Sequence, residues 1–353
     1  MARKRKTLPK NFEEMLETAS LDELKAVFDK CLIDARGGYG KQTALGFLDC
    51  PDELVTWLVG QGLDVDAGDN YNRSPFWERA YMGRTAQIPL LLELGADIEK
   101  PDLYGATPLH AAAGNQRPAS TRMLLEHGAD LGALNDEEMT PLEWGLLRTG
   151  NNDIADMAET AAVLIEAGAV VTDNAQELVR RIGEQFEFHR DHYNPEYLDE
   201  VDAGLAHLYE LFGVQPVAAR QMHDGTSPIE MPVGDWSDQH DALWELLVPS
   251  MGAAATLQGE VIRVTGRIAF EIHENGGANW DRHFKAMLKE LPVYLQQGTP
   301  LPEAELAELA ALTGEIASGD ADDDELRRLM ELAVRWVAAN REPIQLDEVP
   351  YDR

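Results

Sequence analysis

The feature that most limits how this chain can fold is a phrase that returns at a nearly fixed step. Gly105-Ala106-Thr107-Pro108-Leu109-His110-Ala111-Ala112-Ala113 is followed by Met123-Leu124-Leu125-Glu126-His127-Gly128-Ala129-Asp130. The first phrase returns as Ser74-Pro75-Phe76-Trp77 and Thr140-Pro141-Leu142-Glu143, with a weaker copy at Thr43-Ala44-Leu45-Gly46. Its leading residues are 31, 33 and 33 apart. The second returns at Gly62, Gly95 and Gly168, in steps of 33, 33 and 40 around Gly128. A period of this size implies stacked units, because one unit alone cannot bury its apolar face. Within each unit the Ser or Thr suits a helix N-cap and the Pro its first turn. The closing Gly suits the left-handed residue after a helix end.

Helix, turn, helix and a Gly-ended loop every 33 or so residues resembles the ankyrin repeat. The resemblance is clear over 38–172, with repeats near 38–67, 69–100, 102–133 and from Asn135. It is weaker over 11–37 and 173–213. The fold expected is all-α: an ankyrin-repeat solenoid of helix pairs with short β-hairpin-like loops, followed by a small helical bundle. The divisions expected are a helical cap at 1–37, four repeats at 38–172, a degenerate fifth repeat at 173–213, a connector at 214–235 and a C-terminal helical domain at 236–353. The extra residues in the fourth repeat fall around Gly150 to Asp156, between its two helices.

The ankyrin resemblance implies a concave side that binds other proteins, and it does not imply catalysis. Its usual contact positions are the loop tips and the exposed end of each first helix. Transferred to matching positions, they are Tyr39, Gln42 and Asp49; Asn70, Tyr71, Arg73, Tyr81 and Met82; Leu103, Tyr104, Ala106 and Asn115; and Asp136, Glu137, Met139 and Arg148. Exposed tyrosines favour binding on general grounds, since aromatic anchors dominate interface energies. His110 is implied to be structural, bonding between repeats. Trp77 and Glu143 replace that His, and Ala44-Leu45-Gly46 replaces Pro-Leu-His, so the edges of the array depart from the pattern.

Charge narrows the partner. Sixty-three acidic against 30 basic residues leave a net charge of −33, which opposes DNA, RNA or an anionic membrane as partner. Residues 134–210 hold 18 acidic and 4 basic residues, whereas 1–133 hold 20 and 15. The charge is compatible with solubility alone or with a basic protein partner, which the acidic stretch would suit. No apolar run approaches the roughly 18 residues of a membrane span, and the basic start, Arg3 to Lys6, lacks a secretory apolar region. That start reads as a frayed terminus. Cys31 and Cys50 make neither a disulfide framework nor a metal set, which places the protein in a reducing compartment, the cytoplasm.

Outside the repeats, Asn11 to Cys31 reads as two short helices with a capping box at Ser20 and Glu23. Ala175–His189 and Leu198–Phe212 read as the fifth pair, joined by a charged loop. Gly225-Thr226-Ser227-Pro228-Ile229 echoes the start of one more repeat, with a flexible linker as the alternative. Beyond it, helices are expected at Asp241–Val248, Thr256–Glu274, Trp280–Leu291, Glu303–Ile316 and Glu325–Ala339. The second carries one apolar stripe of Leu257, Val261, Val264, Ile268 and Ile272. Thr256 to Arg263 and Asn275 to Asp281 are similar to a segment of bacterial proteins, a likeness that carries no function with it.

Three constellations invite an enzymatic reading. His189 and His192, near Glu187 and Asp191, have two imidazoles at helical spacing but no third ligand at a fixed step. Gln258, Glu260, Arg263 and Glu271 share the polar sides of one helix, opposite Asn279, Asp281 and His283, and read as a network fixing that helix to the Asn275-Gly276-Gly277 turn. Asp320 to Asp324 is acidic but lacks the offsets of a calcium loop. No cofactor is implied. The expected role is non-catalytic protein binding, in its sharpest form an immunity or inhibitor protein whose acidic groups fill a basic toxin's site. An enzymatic C-terminal domain and a passive scaffold are the alternatives.

Overall fold

A computed structural model of the protein describes residues 3–319 and 321–351. Asp320 of the acidic loop lies outside the described residues. The chain divides into two units. Residues up to Phe186 with Tyr193–Val217 form the first, and Glu187–His192 with the chain from Ala218 onward form the second.

The first unit is a stack of helix pairs. After α1 (Phe12–Thr18) and α2 (Leu21–Lys30) come α3 (Asp52–Gly60), α4 (Pro75–Met82), α5 (Ile88–Glu93), α6 (Pro108–Gly114), α7 (Pro118–Glu126), α8 (Pro141–Leu147) and α9 (Ile154–Glu166). The last pair is α10 (Asp173–His189), whose final residues fall in the second unit, and α11 (Leu198–Phe212). The hydroxyls of Ser74, Thr107 and Thr140 accept the backbone N–H of Trp77, His110 and Glu143 at 3.1, 3.4 and 3.3 Å, capping α4, α6 and α8. Gly62, Gly95, Gly128 and Gly168 close their units at φ of 94°, 93°, 88° and 105°, a region that strongly favours glycine. The first helices stack α4 on α6 and α6 on α8. Leu54, Leu58, Phe76, Ile88, Leu91, Leu109, Leu124, Leu142 and Leu164 are buried in one continuous core, each such side chain contributing roughly 1.5–3 kcal/mol.

The edges differ from the sequence expectation. Thr43 makes no cap, and the first helix of the first repeat shrinks to one 3₁₀ turn, Ala44–Gly46. This copy alone lacks the first-turn Pro that α4, α6 and α8 share. The basic start is ordered rather than frayed from Arg5: β1 (Arg5–Thr7) pairs in parallel with β2 (Cys31–Arg36), and Lys4 Nζ donates to the Phe28 carbonyl at 2.6 Å. Met1 and Ala2 of that start lie outside the described residues. In the fourth repeat the additional length divides between two places. Six residues separate α8 from α9 where three separate α6 from α7, and α9 has 13 residues where α7 has 9.

The second unit holds α12 (Trp236–Leu247), α13 (Leu257–His273), α14 (Arg282–Tyr294), α15 (Glu303–Ile316) and α16 (Asp323–Ala339). α12 starts five residues before the expected point because Asp235 caps it, accepting from the N–H of Ser237 and Asp238. Three helices, α12, α14 and α16, pack against α13. Its apolar stripe is buried, and so are its polar residues Gln258, Glu260, Arg263, Thr265 and Glu271.

Residues 218–235 are neither a repeat start nor a loose tether. Arg220 donates to the carbonyls of Trp244, Glu245 and Val248 at 3.0, 2.9 and 2.7 Å, closing the end of α12. Asp224 closes the turn at Thr226 and Ser227, and Ile229 is buried with its N–H on the Arg341 carbonyl at 2.7 Å. No helix of the described residues is long and apolar enough to cross a membrane.

Candidate protein-binding face

The loop tips ahead of α4, α6 and α8 are built alike. Oδ1 of Asp69, Asp102 and Asn135 accepts the N–H two residues on (Tyr71, Tyr104, Glu137) at 2.7, 2.8 and 3.0 Å. It also accepts the N–H four residues on (Arg73, Ala106, Met139), at 3.0 Å in each case. Neighbouring tips are pinned through the backbone: Asn70 N–H to the Gly40 carbonyl, Leu103 N–H to that of Tyr71 and Asp136 N–H to that of Tyr104, at 2.9, 2.8 and 3.0 Å. The side chains that follow therefore stand in register, one tip beside the next.

In that register the leading positions are Tyr39, Asn70, Leu103 and Asp136, and the next are Gly40, Tyr71, Tyr104 and Glu137. The third are Lys41, Asn72, Gly105 and Glu138, all left-handed, at φ of 51°, 60°, 72° and 59°. Glycine takes this conformation freely, whereas a residue with a Cβ is strained there by roughly 1 kcal/mol. Tyr39 is 97% exposed, Leu103 and Tyr104 each 58%, and Tyr71 38%. Asp136, Glu137 and Glu138 are all exposed.

The remaining expected contact residues separate into two groups. Met82, Asp49 and Arg148 are exposed, while Arg73, Tyr81, Asn115, Met139 and Gln42 are half-buried. Arg73 lies between two rings, 4.9 Å from that of Tyr71 and 4.8 Å from that of Trp77, and Trp77 stacks on Tyr81 at 5.3 Å. This gives a continuous cation–aromatic strip. Asn115 Nδ2 donates to the Tyr81 carbonyl at 2.9 Å and Arg148 Nε to the Gly114 carbonyl at 3.3 Å, so each also ties one repeat to the one before. Ala106 is buried and offers a partner no side chain.

The position occupied by His110 explains why its replacements are tolerated. His110 Nδ1 faces the Thr107 N–H at 3.2 Å, which leaves Nε2 to donate to the Met139 carbonyl at 2.9 Å. Trp77, one repeat earlier, donates its indole N–H to the Ala106 carbonyl at 2.9 Å, the equivalent bond. Glu143, one repeat later, closes the Thr140 cap and accepts from Thr172 at 2.7 Å. Three different side chains thus hold the next unit. Burial lowers the His110 pKa against a raising hydrogen bond to the Met139 carbonyl, which favours the neutral ring. Burial pushes the Glu143 carboxyl up, but hydrogen bonds from Thr172, Thr140 and Asn174 outweigh it and hold the pKa below the usual range.

The residues of the other constellations make the following contacts. His192 Nδ1 meets Ser250 Oγ at 2.8 Å, and no group of three metal-ligating side chains occurs among the described residues. Glu260 and Arg263 form a fully buried pair at 2.6 Å, with the Ala254 N–H and the Tyr351 hydroxyl also on Glu260, at 2.9 and 2.8 Å. Glu271 accepts from Asn275 Nδ2 at 3.0 Å and from the Asn279 N–H, fixing the Asn-Gly-Gly turn. These contacts brace the fold, and sequence reading did not anticipate the part Tyr351 plays. Glu271, Asn275 and Asn279 also line a cavity of about 950 Å³ in the second unit, together with His240, Asp241, Trp244, Arg267, Phe270 and Phe284 among others. Burial pushes the His240 ring down to about 4, so it is neutral at physiological pH.

No curated protein matches the chain. Residues 48–172 match the family model described as ankyrin repeats, in three copies, and repeats of this family generally mediate protein–protein interaction.

Proposed function

We propose that this is a non-catalytic binding protein that holds a basic polypeptide across its loop tips and first-helix ends. The observation that carries the reading is the pinned row of exposed side chains, Tyr39, Tyr71, Leu103 and Tyr104, running into Asp136, Glu137 and Glu138. Rigid aromatic anchors supply contact area at low entropic cost. The carboxylates steer a cationic partner and make its association fast and salt-sensitive. In its sharpest form the protein is a cytoplasmic inhibitor, of the kind bacteria use for immunity, whose carboxylates take the place of nucleic-acid phosphates in a toxin's basic cleft. A Tyr71→Ala/Tyr104→Ala variant tests the reading. It should lose at least tenfold in affinity for the co-purifying protein with an unchanged thermal midpoint, and equal retention at every salt concentration would refute it.

A second reading rests on the cavity of the second unit: a small-molecule site at Asp241, Arg267 and Phe270, with the repeats recruiting a protein substrate. A ligand-induced rise in thermal midpoint, lost in Phe270→Asp, would support it. A metabolite screen that shifts nothing would count against it.

A further inference from the structure

The composition of the tips changes abruptly, and the change indicates the partner's chemistry. Across the first three tips the three aligned positions read Tyr39-Gly40-Lys41, Asn70-Tyr71-Asn72 and Leu103-Tyr104-Gly105, with no acidic side chain. The carboxylates of Asp69 and Asp102 are occupied in closing their own loops. At the fourth tip the same positions read Asp136-Glu137-Glu138, and the loop-closing residue becomes the uncharged Asn135. The aromatic section and the triple-carboxylate section are thus adjacent, joined by the bond from Asp136 N–H to the Tyr104 carbonyl at 3.0 Å.

Glu138 sits at φ 59°, in the left-handed turn that all four tips share, so its exposed carboxylate is presented at the position that Lys41, Asn72 and Gly105 hold in the row.

From these observations we infer that the row of tips recognises one polypeptide segment of split character: apolar side chains that lie on Tyr71, Leu103 and Tyr104, beside a cluster of Lys or Arg that pairs with Asp136, Glu137 and Glu138. This rests on the protein-binding reading and specifies its partner. Packed helices lie about 8–10 Å apart, so neighbouring tips are separated by a similar distance. An extended chain covers that distance in about three residues, which sets the spacing between the partner's apolar and basic groups. Apolar contact anchors the complex, and the charges fix its register and supply its salt dependence.

The test uses the full chain and four labelled synthetic peptides of about sixteen residues, followed by fluorescence anisotropy at low and high salt. Two peptides carry a Leu/Phe block and a Lys block three residues apart, in either order. The third carries only the Lys block and the fourth only the apolar block. One of the two split peptides should bind at least tenfold tighter than either single-block peptide. Tyr104→Ala should weaken it about tenfold and leave the salt dependence intact. Asp136→Asn/Glu137→Gln/Glu138→Gln should flatten the salt dependence. Glu138→Gly should raise the thermal midpoint while weakening binding. Tyr197→Ala, at an exposed tyrosine away from the tips, should change nothing. Split peptides that bind no better than the Lys-only peptide would overturn the inference, as would a Tyr104→Ala variant that binds like the unaltered protein. If those failures occur while Tyr71→Ala/Tyr104→Ala still loses the co-purifying protein, the split-character inference falls and the binding reading stands.

Discussion

Replacing His110 by Leu tests how the array holds its tips in place. The ring's Nε2 donates to the Met139 carbonyl at 2.9 Å, and its Nδ1 accepts from the Thr107 N–H at 3.2 Å, with the Thr107 hydroxyl 2.9 Å away. Leucine fills much of the same space, so the loss is chiefly polar. It leaves the Thr107 N–H without a partner, at about 1–3 kcal/mol for a buried orphan, while the Met139 carbonyl keeps only the Asn135 N–H at 3.1 Å. Met139 is also half-buried, so its share of the loss is small and we expect a total of about 1–3 kcal/mol. The bond to Met139 also anchors the tip that presents Glu137 and Glu138. Amide hydrogen exchange of Glu137, Glu138 and Met139 should therefore accelerate more than that of Tyr71 or Arg73. The acid limb gives a second signature. Burial lowers the folded pKa below its ordinary value of 6.5, so the unfolded chain takes up this proton first as the pH falls. The stabilisation is complete above 6.5 and is lost as the pH drops through the folded value, and His110→Leu should lack that part of the acid sensitivity. Urea denaturation at pH 7.5 and 5.5, with exchange measured at the tips, reads all three effects. A loss under about 0.5 kcal/mol, the range of an ordinary surface change, or unaltered tip exchange, would refute the reasoning.

Glu260→Leu should destabilise the second unit by about 3–5 kcal/mol, since it strips the buried Arg263 of its carboxylate. The double variant Glu260→Gln/Arg263→Met should recover much of that loss in urea titrations. His240 contributes its own acid limb: its pKa falls from 6.5 to about 4, so the stability it holds above 6.5 should decline by about 3 kcal/mol as the pH reaches 4. His240→Gln should remove this decline. A methyl group on Gly204 would lie 2.9 Å from Ala155 Cα and 3.1 Å from its nitrogen, so Gly204→Ala should push α11 from α9 at about 1–3 kcal/mol, read as a lower thermal midpoint.

The repeats were legible because their signals are local backbone requirements. Ser74, Thr107 and Thr140 are needed to cap helices, and Gly62, Gly95, Gly128 and Gly168 to end them. Replacement of His110 by Trp77 or Glu143 looked like irregularity, because sequence shows the residue type but not the carbonyl or hydroxyl it will meet. The pairing of Arg5–Thr7 with Cys31–Arg36 was hidden because it runs through backbone groups, and the charged side chains read as a solvated end. Arg220, Asp224 and Ile229 looked like linker for a related reason: their partners lie roughly 25 or more residues away or in a single turn, with no period to show them. Tip residues could be placed by carrying over the contact positions that the ankyrin resemblance implies, but their exposure could not. Arg73, Tyr81 and Asn115 are partly occupied with one another and with backbone, whereas Leu103 and Tyr104 stand free.

The central claim is that the row of tips grips another polypeptide. It is tested most directly by placing a photo-crosslinking amino acid singly at Tyr71, Tyr104, Glu137 and, on the outer helix α7, Arg122. The account predicts that the three tip positions crosslink to the same polypeptide, with its basic residues mapping to position 137 and its apolar residues to position 104, while position 122 captures none of it. Capture at 122 with none at the tips would contradict it.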